Sequence, residues 1–209
     1  MGYKGSLCRL CRAERTKLFL KGKRCLSDKC SVERRDYPPG MKGARANYRK
    51  SNYKGQLREK QKVKRFYGMG ENQFRNFFAK AAQKKGITGE NLLRMLELRL
   101  DNVLYRMNFS YSRRHARQLI RHGLIQVNGR KVTIPSAILK IADEVTFCPL
   151  AKANENIKAV LENVKGLVEV PGWVLVNPET QTGKINALPT REDVSLPVEE
   201  RLIVELYSK

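Results

Sequence analysis

Acidic residues are scarce in this sequence, which has 20 Asp and Glu against 42 Lys and Arg and a formal net charge of +22. Such an excess makes a compact chain repel itself unless a polyanion neutralises it, so RNA, DNA and an anionic membrane are the candidate partners. No apolar run approaches the roughly 20 residues of a membrane span, and the N-terminal residues lack the apolar stretch of a signal peptide. The sequence therefore predicts a soluble, intracellular protein that does not enter a membrane.

The sequence also lacks the residue patterns of an active site. No pair of carboxylates and no nucleophile with a neighbouring base stands out, and the only two histidines, His115 and His122, are most simply surface or contact residues. We therefore expect no catalytic residue and no small-molecule substrate.

The basic residues are unevenly distributed. Residues 1–70 carry 21 basic and 5 acidic side chains, residues 71–130 carry 12 and 4, and residues 131–209 carry 9 and 11. The local balances are therefore +16, +8 and −2. A solvated surface usually mixes both signs, which the first third barely does, so this distribution favours nucleic-acid contact through the first 130 residues.

The N-terminal half is predicted to be an arm followed by helices. Residues 1–55 show little helical periodicity and many Gly, Pro, Arg and Lys, so we expect an extended arm that needs a partner or a metal to order it. Residues 57–67 read as a basic helix that stops near Gly68. Two further helices are indicated by apolar residues at helical spacing: Phe74, Phe77, Phe78, Ala81 and Ala82, then Leu93, Leu96, Leu100, Val103 and Met107.

The pattern changes from helical to alternating after residue 112. A short basic helix is predicted from Ser112 to Gly123, and alternating apolar residues then flank Asn128-Gly129 on both sides. Asn-Gly between alternating apolar residues is a strong signal of a two-residue β-hairpin. A further strand is predicted at residues 145–148. Residues 157–165 suggest a short helix, whereas later segments at 173–177 and 202–206 fit either a strand or a helix.

Four of the five cysteines form two close pairs. Cys8-x2-Cys11 is separated by thirteen residues from Cys25-x4-Cys30, a spacing that can place four thiolates around one structural Zn²⁺ ion. Two disulfides are an alternative that a reducing compartment disfavours, and an iron–sulfur cluster is a second alternative. Cys148, in an apolar strand, is expected to be a small core residue.

Basic residues adjoin the four cysteines in the sequence. Four thiolates around Zn²⁺ carry a formal charge of −2, which neighbouring cations can offset while other basic groups of the arm face phosphate. These neighbours are Arg9, Arg12, Arg24 and Lys29.

The predicted helix after Ser112 has one arginine face and one apolar face. At roughly 100° per residue, one arc of the helical wheel holds Arg113, Arg114, Arg117 and Arg121. The apolar residues of the opposite arc are Ala116, Leu119 and Ile120. A solvated helix with scattered charge would carry acidic residues on the arginine arc, and there are none. The pattern therefore favours contact between this arc and RNA phosphates.

Several motifs together resemble the bacterial S-four family of small-subunit ribosomal proteins. The resemblance covers essentially the whole chain, in order and without a large insertion. Its motifs are Leu57-Arg-Glu-Lys-Gln-Lys-Val-Lys-Arg, Tyr67-Gly, Gln73-Phe-Arg-Asn, Glu97-x-Arg-Leu-Asp-Asn-Val-x-Tyr-Arg, Ala116-Arg-Gln-Leu, Val127-Asn-Gly-Arg and Glu205-Leu-Tyr-Ser.

This resemblance implies an α+β fold with three parts. Residues 1–45 would be a zinc-bearing basic arm, and residues 46–97 with 197–209 would form a helical domain. Residues 98–196 would form a second α/β domain that holds the small S-four RNA-binding module, made of two helices and a β-hairpin.

The resemblance also implies a function and partners. The protein would be a cytoplasmic component of the small ribosomal subunit that binds 16S rRNA at a multi-helix junction of the 5′ domain and helps to nucleate assembly of the 30S subunit. It would lie where messenger RNA enters the subunit, beside ribosomal proteins S-five and S-three, and contribute to translational accuracy. Some family members also repress their own messenger.

The resemblance assigns site residues position by position. Zn²⁺ would be held by Cys8, Cys11, Cys25 and Cys30. RNA contacts in the module would come from Arg113, Arg114, Arg117, Gln118, Arg121 and Lys131. Residues facing messenger RNA would be Arg45, Arg49 and Lys50, and further RNA contacts are predicted on the basic helix at Arg58, Lys62 and Arg65.

Two other functions remain as alternatives. The same small module is found appended to pseudouridine synthases and some tRNA synthetases, but an RNA-modifying enzyme needs a catalytic domain, and only some 60 residues follow the module. A zinc-dependent DNA regulator is the third hypothesis, which competition between duplex DNA and ribosomal RNA would distinguish.

Overall fold

The computed structural model describes residues 3, 5–41, 43, 51–164, 166 and 168–208. The chain divides into two compact units, unit 1 with Met1–Leu92 and Ser195–Lys209, and unit 2 with Leu93–Val194. The described elements of unit 1 are helical, whereas unit 2 combines helices with a sheet. The predicted α+β class is therefore confirmed. In the described part of the chain, no helix is long and apolar enough to cross a membrane.

The N-terminal segment is folded into short helices. Helix α1 comprises Leu7–Glu14, a 3-10 turn comprises Gly22–Cys25, and helix α2 comprises Ser31–Arg34. The prediction of an extended arm was therefore wrong for these residues. The physical reason is burial: α1 packs against α2, and Leu18, just after α1, is fully buried.

Unit 1 continues with two longer helices, α3 (Asn52–Phe66) and α4 (Glu71–Ala82). Helix α3 begins before the predicted residue 57 because the Ser51 hydroxyl caps it, accepting a hydrogen bond from the Lys54 N–H at 3.3 Å. It ends near Gly68, as the sequence predicted, and Gly68 has a positive φ of 60°.

The apolar side of α4 faces the interior of unit 1. Phe74, Phe77 and Ala81 are buried, as their spacing predicted, whereas Phe78 is half-buried and Ala82 is exposed. The C-terminal segment that fitted either a strand or a helix is helix α10 (Glu200–Tyr207), which packs against α3. Its last residue, Tyr207, stacks on Phe78 with ring centroids 4.4 Å apart.

The apolar stripe from residue 93 to 107 forms two helices. Helix α5 (Thr88–Glu97) ends before an extended residue, Arg99, and helix α6 (Leu100–Arg106) follows. The pattern alone predicted one continuous helical period. The break arises because the extended backbone pairs with a later segment: the N–H of Leu100 donates to the carbonyl of Ala137 at 2.8 Å.

The second half of unit 2 builds a sheet next to a short helix. Helix α7 comprises Arg113–Arg121, and strands β1 (Ile125–Val127) and β2 (Arg130–Lys131) form the predicted hairpin around Asn128-Gly129. Both turn residues have positive φ, 50° and 75°, the backbone conformation of a two-residue turn that favours Asn-Gly.

Three more strands complete an antiparallel five-stranded sheet. They are β3 (Glu144–Phe147), β4 (Val174–Asn177) and β5 (Thr182–Ile185), and the order in the sheet is β2-β1-β3-β5-β4. The ambiguous segment at 173–177 is therefore strand β4. Helices α8 (Pro149–Ala153) and α9 (Glu155–Val164) connect β3 to β4, and α9 confirms the helix predicted at 157–165.

Candidate RNA-binding surface and cysteine cluster

Helix α7 is held at both ends by its local sequence. The Ser112 hydroxyl caps it by accepting a hydrogen bond from the His115 N–H at 3.3 Å, and the helix closes before Gly123, which has a φ of 69°. Ala116, Leu119 and Ile120 are buried in the core of unit 2. Burial of this side turns the opposite side of α7 towards solvent.

The exposed side of α7 carries three of the predicted RNA contacts in one row. Arg114, Gln118 and Arg121 are all exposed and follow the i, i+4, i+7 spacing of a single helix face. Their side chains offer two guanidinium groups and one amide, all able to donate hydrogen bonds to phosphate oxygens. We call this row the α7 stripe.

Lys131 extends the α7 stripe from the neighbouring hairpin. A Cβ added at Gly123 would lie 1.9 Å from Cε of Lys131, so the lysine side chain lies directly over the glycine at the end of α7. Lys131 itself is exposed. The absence of a side chain at Gly123 therefore allows this ammonium group to approach the helix. The sequence did not indicate this approach, because it depends on how the hairpin packs against α7.

Arg113 lies in the interior of unit 2, not on the exposed face. Its side chain is 5% exposed, its Nε donates to Oδ1 of Asn102 at 2.7 Å, and its guanidinium lies 4.6 Å from the ring centroid of Tyr105. The helical wheel had placed Arg113 on the same accessible arc as Arg114, and this placement was wrong. The reason is that α6 packs against α7 at this position and supplies polar and aromatic partners.

Arg117 occupies a position between the core and the surface. Its side chain is 20% exposed, and its Nε donates to Oδ2 of Asp101 at 2.6 Å. The Asp101 carboxylate, which is buried, also accepts two hydrogen bonds from Arg99, at 3.0 and 2.8 Å. Arg117 is therefore fixed at the edge of the α7 stripe by a carboxylate from α6.

A second set of buried polar residues lies next to Asp101 and Arg99 in the sequence. Both carboxylate oxygens of Glu97 accept hydrogen bonds from Arg106, at 3.1 and 3.0 Å. The Asn102 amide donates to a Glu97 oxygen at 2.7 Å, and its own oxygen accepts from Arg113. Sequence reasoning used the motif from Glu97 to Arg106 only as a mark of resemblance. Its charges in fact form the polar core that supports α7, and four charged residues in a helical apolar stripe were the available signal.

The predicted RNA contacts on α3 form ion pairs within unit 1. Arg58 and Arg65 both contact the buried carboxylate of Glu14 at the end of α1, Arg58 at 3.4 Å. Lys62 contacts Glu59 at 2.5 Å and donates to the carbonyl of Pro197 at 3.3 Å. Their RNA contacts remain predictions, but Arg58 and Arg65 also link α3 to α1, and Lys62 links α3 to the segment before α10.

Burial changes the pKa of the Glu14 carboxyl. Removal from water raises the pKa of this carboxyl above its ordinary value, although the charges of Arg58 and Arg65 act in the opposite direction. Glu14 was not singled out from the sequence. The predicted messenger contacts Arg45, Arg49 and Lys50 lie outside the described residues.

The four cysteines that were predicted to bind metal line one pocket. Cys8, Cys11, Cys25 and Cys30 share its lining, and all four are free thiols. Burial, together with the neighbouring cysteines, raises the pKa of Cys11 to about 11, and burial likewise raises the pKa of Cys25. As they stand, no three or more His, Cys, Asp or Glu side chains of the described chain form a metal-binding group.

The chemistry of the pocket nevertheless fits a thiophilic cation. Four cysteines line it, and the backbone N–H of Lys21 donates to the sulfur of Cys25 at a nitrogen–sulfur distance of 3.3 Å. Arg24 and Lys29 also line the pocket, as the sequence suggested, whereas Arg12 binds the carbonyl of Tyr37 at 3.0 Å. Because buried thiols ionise only with a compensating charge, a bound cation would be required to make them thiolates.

Comparison with known protein families identifies the class of this chain. Residues 2–97 match the family model described as "Ribosomal protein S4/S9 N-terminal domain", and residues 98–145 match the model described as "S4 domain". Together these two models cover the N-terminal helices, the α7 stripe and the hairpin. The chain is therefore a ribosomal protein with an RNA-binding S4 domain.

Full-length relatives define the family more narrowly. The chain is 54% identical over 209 residues to "Small ribosomal subunit protein uS4" of Thermodesulfovibrio yellowstonii, covering 99% of both chains. It is 53% identical over 207 residues to "Small ribosomal subunit protein uS4A" of Clostridium botulinum, with 99% and 98% coverage, and 50% identical over 209 residues to the uS4 protein of Geotalea daltonii. The chain therefore belongs to the uS4 family. This is a family of structural ribosomal proteins, so the prediction that the chain is not an enzyme is confirmed.

Proposed function

We propose that this chain is a structural protein of the cytoplasmic small ribosomal subunit that binds 16S rRNA, nucleates assembly of the 30S subunit and contributes to translational accuracy. The observation that carries the proposal is the α7 stripe of the S4 domain. Arg114, Gln118 and Arg121 are exposed on one helix face, and Lys131 lies at its end. Such a row of donors suits the regularly spaced phosphates of an RNA backbone.

The fixed position of helix α7 supports binding to structured RNA. The buried pair of Asp101 and Arg99 holds Arg117, and the Asn102 amide holds Arg113 at the beginning of the helix. A helix that is already held in place loses less conformational entropy on binding than a mobile one does. In this proposal Arg113 positions helix α7 through its packing. Direct contacts with RNA come from Arg114, Gln118, Arg121 and Lys131.

A salt-dependence experiment tests the proposal. The affinity of the full chain for a 16S rRNA transcript should fall steeply with KCl, and a double variant, Arg114→Gln with Arg121→Gln, should lower the slope of log K against log salt by about two. A matched control, Lys140→Gln with Lys158→Gln, changes the net charge equally on exposed positions of the same unit. Salt-independent binding, or equal affinity for duplex DNA and 16S rRNA, would contradict the proposal.

The four-cysteine pocket is proposed to hold one structural Zn²⁺. Cys8, Cys11, Cys25 and Cys30 would supply four sulfur ligands and leave no open position for water, which suits a structural ion rather than a catalytic one. Zn²⁺ would supply a crosslink between α1 and the segment around α2. Bound zinc would thereby stabilise the fold of the N-terminal residues.

The neighbours within the subunit are proposed from the family resemblance. Ribosomal proteins S-five and S-three would lie beside this chain, and Arg45, Arg49 and Lys50 would face messenger RNA where it enters the subunit. Photo-crosslinking from position 49 in assembled subunits tests the messenger contact. Crosslinks to ribosomal RNA alone would contradict it.

A further inference from the structure

We propose that unit 1 carries a second surface for the RNA phosphate backbone, at the end of α4. Its members are Lys80, Lys84 and Lys85, which we call the α4 tip. The inference rests on the proposed function and deepens it, because it assigns RNA contacts in the helical unit to residues other than the α3 cations. None of the α4 tip residues was among the predicted RNA contacts.

The packing of α4 determines which side of the helix meets solvent. Phe74, Phe77 and Ala81 are buried in unit 1. Lys80 projects from another side of the helix and is exposed, and Lys84 and Lys85 are exposed in the turn that follows. The three lysines therefore belong to one short accessible stretch of chain.

The charge of these lysines is not balanced by a nearby acidic residue in the described part of the chain. No acidic residue occurs from Asn72 to Gly89, and none of the three lysines forms a salt bridge within the described residues. The cations of α3 differ, since Arg58 and Arg65 pair with a buried carboxylate. Phosphate contact at the α4 tip would therefore break no ion pair, whereas phosphate contact at those α3 positions would compete with one.

Helix electrostatics explains only part of this charge. Lysines near a helix C-terminus interact favourably with the helix dipole, which accounts locally for Lys80 and Lys84. Lys85, however, lies three residues beyond Ala82, the last residue of α4, where the dipole gives it less advantage. The exposed polar residue between the lysines, Gln83, carries an amide group that can donate to phosphate or ribose oxygens.

The backbone of the turn that carries the lysines is held by a buried side chain. The Asn91 side chain is buried, and its amide nitrogen donates to the carbonyls of Lys84 and Lys85, at 3.4 and 3.2 Å. Gly86 then reverses the chain with a φ of 104°. A side-chain amide that holds two successive carbonyls keeps both lysines at the surface, which lowers the entropy lost on binding.

The surface suits RNA better than an acidic protein. Protein interfaces usually centre on buried aromatic or aliphatic anchors. In the segment from residue 79 to 87, the large exposed apolar side chain is Ile87, at the far edge of the lysine turn. A row of cations and one amide, with one apolar residue at its edge, matches a phosphate backbone.

Two triple variants of the full chain test the inference. In the tip variant, Lys80, Lys84 and Lys85 are each changed to Gln, and in the control the exposed Lys140, Lys158 and Lys184 are changed to Gln. Both variants lose the same net charge. Binding to a 16S rRNA transcript is measured by filter retention from 0.05 to 0.5 M KCl, with circular dichroism as a check of folding.

The tip variant should lose about tenfold or more in affinity at 0.1 M KCl, and its salt slope should fall by about two to three. The control should change affinity by less than about twofold. Replacing the same three lysines by Arg should preserve binding, because charge and reach are kept.

Three outcomes would overturn the inference. Equal losses in the tip variant and the control would show that only net charge matters. Wild-type affinity in the tip variant would show that the α4 tip does not touch RNA, and loss of binding to an acidic ribosomal protein instead would identify a protein partner. Failure of the unaltered chain to bind 16S rRNA would instead count against the proposed function itself.

Discussion

The Nε of Arg117 donates a 2.6 Å hydrogen bond to the carboxylate of Asp101, which also binds the fully buried Arg99. One carboxylate therefore contacts a guanidinium in the core and a second guanidinium at the edge of the α7 stripe. Asp101 links the stability of unit 2 to the geometry of the stripe.

Changing Asp101→Asn should strongly destabilise the protein. The variant removes the negative charge that the buried Arg99 contacts, and removing one partner of a buried pair typically costs about 3–5 kcal/mol. The measurement is the free energy of unfolding from urea titration. Glu162→Gln, at an exposed position of the same unit, is the control and should change stability by less than about 0.5 kcal/mol. Equal stability of the two variants would contradict the role given to Asp101.

Substitution by alanine should have different effects at Arg113 and Arg114: at Arg113 it should lower stability, and at Arg114 it should weaken RNA binding. Arg113→Ala removes a buried hydrogen bond to Asn102 and a ring contact with Tyr105, so it should cost about 2 kcal/mol or more of stability. Arg114→Ala should leave stability within about 0.5 kcal/mol of the unaltered chain and lower the salt slope of RNA binding by about one. Urea unfolding and RNA titration separate the two effects. The reverse pattern would mean that the burial of Arg113 is misassigned.

The four-cysteine pocket should hold one zinc per chain. Metal analysis of protein purified under reducing conditions, combined with alkylation counting, checks this. With metal bound, Cys148 should be the first thiol to react, and chelation should make the other four available. Chelation should also disorder residues 1 to about 40 and leave the helical domain folded.

A Cys148→Ser variant is the control for this experiment and should keep its zinc. Absence of metal in the reduced protein would contradict the prediction. Iron with visible absorption would favour the cluster alternative.

Ionisation of Glu71 should make the free energy of unfolding decrease as the pH becomes acidic. Burial alone would raise its pKa, but hydrogen bonds from Lys60 and Lys64, at 2.6 and 2.8 Å, hold the pKa below the ordinary carboxyl value. A lowered pKa means that the ionised form is favoured in the folded state. The stabilisation is therefore present above the ordinary carboxyl pKa and is lost as the pH falls through the folded value.

Thermal unfolding of Glu71→Gln measures this dependence. At neutral pH the variant should unfold about 1–3 °C below the unaltered chain, because a partly exposed ion pair contributes only about 0.2–1 kcal/mol. The difference should shrink as the pH falls to about 3. Glu90→Gln, which also removes an acidic residue from the first turn of a helix, controls for the helix dipole. A difference that is constant with pH would contradict the assignment.

Local patterns predicted the elements that depend on neighbouring residues. The Asn128-Gly129 hairpin and the helix after Ser112 form as the sequence indicated, because turn chemistry and capping act within a few residues. Elements that depend on distant partners were predicted less well. Arg99 interrupts a helical period because its backbone is held by residues 135–139, and nothing near Arg99 in the sequence signals that pairing.

The sequence by itself determined the charge gradient, the cysteine spacing, the amphipathic character of α7 and the family. Only the tertiary structure decided which basic residues are available to RNA. A helical wheel gives the direction of a side chain from its own axis, but the environment of a guanidinium depends on residues from other elements. Asn102 and Asp101 hold Arg113 and Arg117 in this way, while Arg114 and the rest of the α7 stripe remain at the surface.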